Sequence, residues 1–310
     1  MASAQPADDA AGSGSPTDPY PAPAPAVAPT VTATPAPTPP PAPTPTPPPP
    51  PRAPDPEIGM PQLLATPTGW LLPAAVLYSR TGLDTAGGVT SDERVGLGDV
   101  AEFGLSTLDD VRAKNGANDS PSPIQPYVAA TFRIGVAENR LFDYQPAIVL
   151  GFRKSFERST DGLSSRVAEL SLVASEHLGN RVALHLGGSF WDASLQGGSV
   201  DTALSDRSDH ALSDQLRVFG GFEVKPFERS EILADLAWAP TFCYQCASPE
   251  QIELSAQLSW GVRYEVAPWL FLESGVHVFD IDKAKLLDAQ IFGQITLVTW
   301  GLRHAFDSLK

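Results

Sequence analysis

Twelve charged residues sit on the polar side of stretches in which apolar and polar residues alternate. They are Glu102, Arg133, Arg153, Glu169, Arg181, Arg217, Glu223, Asp235, Glu253, Arg263, Glu273 and Arg303. Charges of both signs facing a shared space can do one of two things. They can orient a solute in a polar conduit, as opposing charges do in selectivity constrictions. Or they can pair and fill a narrow space, because unpaired buried charges are costly. Both readings stand at this level. His185 and His277 fall on the same polar face, with His177 and His210 in a turn and a loop. A Ser–His pair could support hydrolysis, but no nucleophile-elbow spacing accompanies these histidines. Polar interior side chains are expected, and no catalytic residue is assigned. No His-x-His or Cys/His cluster points to a metal site, and no cofactor is expected.

Cys243-Tyr244-Gln245-Cys246 is a CxxC. In a thioredoxin-like protein it would follow a βαβ pattern and precede a helix. Here it lies in a loop between two strand patterns, which points to a Cys243–Cys246 disulfide in an oxidising compartment rather than redox catalysis. Acidic residues gather in two other loops, at Asp109 and Asp110 and at Asp201, Asp206, Asp209 and Asp214. The run Ser205–His210 lacks the spacing of a calcium loop, so these read as solubilising charge. Trp70, Trp238, Trp260, Trp269 and Trp300 fit either aromatic girdles at a membrane interface or internal packing.

The elements that must position these residues are long strands. In Gln251–Val266 every second residue from Ile252 is apolar or aromatic, and those between are polar, charged or glycine. A period of two means a strand with one greasy and one wet face. The usual soluble strand has about 5–6 residues, whereas a tilted strand crosses a membrane with about 9–11. Similar alternation predicts twelve strands: Trp70–Arg80, Arg94–Leu97, Val100–Ser106, Pro126–Ala137, Pro146–Phe156, Arg166–Glu176, Arg181–Asp192, Gln215–Lys225, Ser230–Ala239, Gln251–Val266, Trp269–Asp280 and Ala289–Arg303. Short turns, such as Gly98-Asp99 and Ala267-Pro268, alternate with long links, such as Thr81–Glu93, Thr107–Gln125 and Ala193–Asp214. The link Glu138–Gln145 is the one misfit in the short series. A soluble sandwich or lipocalin-like barrel would also alternate. Strand length, loop asymmetry and the proline-rich leader favour a barrel in lipid.

The chain from about residue 66 to 305 resembles a Gram-negative outer-membrane β-barrel of the up-and-down type. The resemblance rests on alternation, loop asymmetry and turn style, without a signature motif. It departs at the C-terminus, where Trp300 and Phe306 are followed by Asp307-Ser308-Leu309-Lys310 instead of a terminal aromatic residue. It implies an all-β fold, a closed antiparallel up-and-down transmembrane barrel of about twelve strands spanning 66–306, with outer-membrane lipid as its surroundings. An even strand count puts both chain ends on one side, the periplasm if the short turns lie there.

Composition agrees. The chain has 310 residues and a formal charge of -15, which argues against a nucleic-acid partner. No apolar run approaches the roughly 20 residues of a membrane helix. Residues 1–65 form a Pro/Ala/Thr-rich, low-complexity leader expected to be disordered, with polyproline II preference and too few large apolar residues for a core. It reads as a periplasmic linker, able to reach a periplasmic or peptidoglycan-associated partner. Ala2-Ser3-Ala4 before Gln5 has the form of a signal-peptidase site, which would place an export signal upstream of Met1. The expected function is a passive channel or small-solute transporter through the charged lumen. The alternative is a structural barrel tethered to the envelope by the leader. An outer-membrane enzyme is disfavoured.

Overall fold

The computed structural model describes residues 59–98, 100–107, 111–114, 122–123, 127–160, 163–197, 200–204, 216–243, 252–281, 283 and 288–299. Expectations for most of the leader, for Asp109, Asp110, Asp206, Asp209, Asp214, His210, Cys246, Trp300 and Arg303 lie outside these residues. So do those for the side chains of Asp201 and Cys243.

Twelve strands close on themselves: β1 (Leu77–Asp84), β2 (Val89–Gly96), β3 (Ala101–Thr107), β4 (Val128–Val136), β5 (Ala147–Ser155), β6 (Leu163–His177), β7 (Val182–Gly197), β8 (Leu216–Phe227), β9 (Ser230–Cys243), β10 (Ile252–Ala267), β11 (Leu270–Phe279) and β12 (Gln290–Val298). Each pairs antiparallel with its sequence neighbour, and β1 pairs with β12 from Tyr78↔Val298 to Asp84↔Phe292. That last ladder closes the barrel, which matters because lipid offers no partner to a free strand edge. Among the described residues no helix is long and apolar enough to cross a membrane.

The barrel is inside-out relative to a soluble one. On β10, Leu258, Trp260, Val262, Tyr264 and Val266 are exposed, while Ser259 and Arg263 between them are buried. Phe132 and Ile134 on β4, Leu170 and Leu172 on β6, and Leu184 and Leu186 on β7 repeat the pattern. A barrel with greasy walls outside and charges inside is stable only in a membrane. Tight turns join strands at one end, with Gly98 (φ +90°) and Gly179 (φ +78°) in the left-handed region that turns after β2 and β6 require. All longer described links except Ala137–Pro146 lie at the other end.

Four expectations need correction. The first strand starts at Leu77, not Trp70, because Trp70, Leu72 and Val76 are buried inside the barrel instead of facing lipid. Its apolar face, expected along Trp70, Leu72, Ala74, Val76 and Tyr78, is also reversed: Tyr78 and Arg80 point inward, while Leu77 and Leu83 are exposed. The long link Thr81–Glu93 is a tight hairpin, since β1 and β2 both extend and Asp84 Oδ1 accepts the amides of Ala86 and Gly88 at 2.8 and 2.6 Å. Finally, Ile252 is buried at the top of β10. It packs with Phe242, Trp191, Leu195 and Val111 in an apolar cluster at the long-loop end. Arg112–Lys114 adds to that end by pairing in parallel with Thr241–Cys243.

Val262 is the centre of the exposed run on β10. Val262→Arg should destabilise folding into vesicles by about 2–4 kcal/mol, and Phe227→Arg, beside a short turn, by under about 1. Denaturant titration in lipid measures both; equal costs would contradict the lipid-facing assignment.

Candidate functional site

Residues 60–65, expected by composition to belong to the linker, pack within the barrel. Residues 60–72 form a finger that enters the lumen from the short-turn end. Met60 packs there against Leu72, Val76, Tyr78 and Val298. The chain rises to a tip at Leu63–Thr66 and returns, held as a hairpin by Leu63 N donating to Thr66 O (2.9 Å) and Thr68 N to Pro61 O (3.1 Å). Pro61 and Pro67 suit this site, because each removes a backbone donor that the lumen would otherwise have to satisfy.

The wall satisfies the remaining groups. The amides of Leu64, Ala65 and Thr66 converge on Asp235 Oδ2 at 3.0, 2.7 and 3.0 Å, an anion nest filled by a side chain of β9. Arg80 donates to the carbonyls of Leu63 and Leu64 at 3.0 and 2.8 Å. Arg133 donates to Pro61 O at 3.0 Å and to Thr68 O, and Arg263 to Gln62 O at 3.1 Å. Glu102 accepts the Leu72 amide at 3.2 Å, and Ser175 the Gly69 amide at 2.5 Å. Apolar contacts add to these: Leu63 and Leu64 meet Leu233 and Phe292, and Trp70 stacks on His177 with ring centroids 4.5 Å apart. A side chain at Gly221 would meet Leu63, so the wall is cut to the finger's shape.

The same charges pair with one another. Arg263 reaches Glu273 at 2.8 Å, Glu231 at 3.1 Å and Glu223 at 3.7 Å, and Arg80 reaches Glu273 at 3.2 Å. Arg94 joins Asp92 at 2.6 Å and Glu102 at 3.1 Å, and Arg133 joins Glu102 at 2.6 Å. Arg153 pairs with Glu169 at 2.8 Å. Buried pairs roughly break even in forming, but losing one partner costs about 3–5 kcal/mol. The network therefore holds the finger's carbonyls and the wall in one arrangement.

Eight of the twelve sequence-predicted charges thus line the interior: Glu102, Arg133, Arg153, Glu169, Glu223, Asp235, Arg263 and Glu273. Glu253 lies at the long-loop rim, half exposed, with Lys114 at 3.0 Å. Arg181 is not in the lumen; it occupies the exposed turn after β6, because β7 begins one residue later. Arg217 sits over the Trp238 ring at 5.1 Å. The interior residues that sequence reasoning missed are Arg80, Asp92, Arg94, Arg112, Lys114 and Glu231. Extending the second strand back to Val89 would have put Asp92 and Arg94 on one face, whereas Arg112 and Lys114 carry no local signal.

Of the tryptophans, Trp260 is exposed on the lipid face and Trp70 is internal. Ser175 Oγ lies 2.7 Å from His185 Nδ1, and Ser259 Oγ 2.8 Å from His277 Nδ1. The nearest carboxylate to His185 Nε2 is Glu223 at 3.9 Å, and His277 is sandwiched against Phe292 at 4.1 Å. Neither pair has a hydrogen-bonded carboxylate among the described residues, so neither forms a triad. No group of three or more metal-ligating side chains occurs among the described residues.

Above the finger tip lies a cavity bounded by Thr66, Arg94, Thr131, Ser189, Gln257 and His277. Closed ladder, apolar exterior and charged interior together define a transmembrane antiparallel β-barrel of the outer-membrane type. No protein-family model matches the sequence, and no curated protein matches it. Solved structures similar in outline include the KdgM porin in complex with disordered oligogalacturonate (6% identity, TM-score 0.42, covering 72% of this chain and 98% of that one). The NanC porin is 11% identical with TM-score 0.42, covering 71% and 97%. The outer membrane phospholipase A from Escherichia coli is 11% identical with TM-score 0.35, covering 73% and 98%.

Asp235→Ala leaves three amides of the finger, those of Leu64 and Thr66 buried and that of Ala65 partly so, without an acceptor, at about 1–3 kcal/mol each. Local opening of residues 60–72 should become easier by at least about 3 kcal/mol, which is roughly a hundredfold in hydrogen-exchange rate. Exchange in the β9 ladder should change far less. Unchanged exchange at Leu64–Thr66 would contradict the anchoring role.

Proposed function

We propose that this chain is a transport barrel for small solutes in the outer membrane, held closed by its own residues 60–72. The observation that carries this reading is the nature of the filling. The lower lumen is occupied by a strandless segment that enters and leaves at one end, held among wall side chains such as Arg80, Arg133 and Arg263. Small wall residues face it, including Ser171, Ser175, Gly221 and Ser259. Withdrawing the finger leaves a bore lined by Arg80, Arg94, Arg133 and Arg263 interleaved with Asp92, Glu102, Asp235 and Glu273. Opposed charges of this kind orient a polar solute in transit. A twelve-stranded wall suffices, lying between filled eight-stranded barrels and open sixteen-stranded porins. We place the short-turn end, and the leader that precedes the finger, in the periplasm, where envelope components are its available partners.

Planar-bilayer recording tests the reading. The full chain should be closed most of the time. Deleting residues 2–72 should give frequent conducting steps, and Asp235→Ala an intermediate opening rate. Deleting only residues 2–58 should leave the barrel closed. A deletion variant that folds by heat-modifiable gel migration yet stays closed at every voltage would overturn the transport reading and leave the tethered anchor.

A further inference from the structure

The ladder between β8 and β9 stops short of its strands. Its rungs run up to Gly220↔Leu236. Yet β8 continues to Leu216, still paired with β7 at Phe190, and β9 continues toward Cys243, still paired with β10 as far as Phe242↔Ile252. In continuing register Phe219 would face Ala237, Val218 would face Trp238 and Leu216 would face Pro240; no such rungs form. Two causes are visible. Pro240 has no amide to donate, and the top of β9 leans inward, burying Phe242 in the apolar cluster. Higher up, Arg112–Lys114 takes the edge of β9 at Thr241–Cys243, so the gap is bounded.

Among the described residues one side-chain hydrogen bond spans this window, and the Arg217 guanidinium lies 5.1 Å over the same Trp238 ring. Trp238 Nε1 donates to Val218 O at 2.9 Å. Outside, Leu216 and Val218 are 59% and 64% exposed, on the lipid face near the long-loop interface. Inside, Phe219 and Ala237 line the cavity above the finger, and Trp238 borders it from the gap. A backbone ladder opens only cooperatively, whereas a single indole bond breaks with one rotamer change. The wall lacks ladder rungs where the cavity reaches it.

We propose that the β8–β9 window is a lateral port, through which a single-chain amphiphile with an uncharged, hydroxyl-bearing head passes between the lumen cavity and the bilayer. The head-group class follows from the lining. Thr131 Oγ1 and Gln257 Oε1 are buried, border the cavity and have no hydrogen-bond partner among the described residues. They suit a hydroxyl donor and acceptor. Arg94, Arg133 and Arg153 are each paired with carboxylates, so no cation waits for an anionic head. Leu64, Phe219 and Phe279 give the chain an apolar bed. This inference names the substrate of the transport reading and rests on it.

The test uses the full chain in phospholipid vesicles, with Cys243→Ser and Cys246→Ser and the pair Val218→Cys and Trp238→Cys. A diazirine-bearing monoacylglycerol is the probe, and peptides carrying Thr131, Ser189 and Gln257 are read by mass spectrometry. Reduced protein should label at these peptides, and oxidation should cut early labelling at least tenfold. Trp238→Phe alone, which removes the bridging bond, should speed labelling several-fold, and it decides the matter if the disulfide does not form. Equal labelling of oxidised and reduced protein, no labelling of cavity peptides, or indifference to Trp238→Phe would overturn the port. Conductance recorded on the same preparation separates the two readings. Disulfide-sensitive labelling in a barrel that never conducts would keep the port and discard the axial channel; conduction without such labelling would do the reverse.

Discussion

Every backbone amide and carbonyl at membrane depth must find its partner within the protein, and the rest of this structure follows from that constraint. It forces the sheet to close, which it does between β1 and β12. Closure separates an outer face that meets lipid from an inner face that does not. Apolar residues such as Phe132, Leu172 and Val262 then belong outside, and charges have nowhere to go but in.

The same constraint operates a second time inside. A finger without strand pairing brings bare peptide groups into a region of limited water, where unpaired ones are costly. Wall charges answer them: Asp235 for three amides, and Arg80, Arg133 and Arg263 for carbonyls. The arginines keep carboxylate partners as well, so each spans finger and wall. Where the constraint is met most thinly, between β8 and β9, one indole substitutes for the missing ladder.

Much of the wall was legible in the sequence because alternation is local. Eleven of the twelve strands fall where period-two stretches predict them, with ends shifted by a few residues in most. Orientation was legible too, since long amphipathic strands with unequal loops fit lipid outside. The first strand was misread for a physical reason. Trp70, Leu72 and Val76 alternate like a strand, but their apolar face packs against the inner wall, where a finger needs greasy contacts as much as a strand needs lipid. The top of β10 misled in the same way, because Ile252 is covered by loop and strand ends far away in sequence.

The sequence by itself determined the class of wall, its strand count and the face of most residues, because these depend on neighbours two positions away. Only the tertiary structure decided what fills the lumen. Asp235 and the amides it holds are about 170 residues apart, and Arg94, Glu102 and Arg133 meet because β2, β3 and β4 are adjacent. Such partners are set by the register of a closed ladder, which no local spacing encodes.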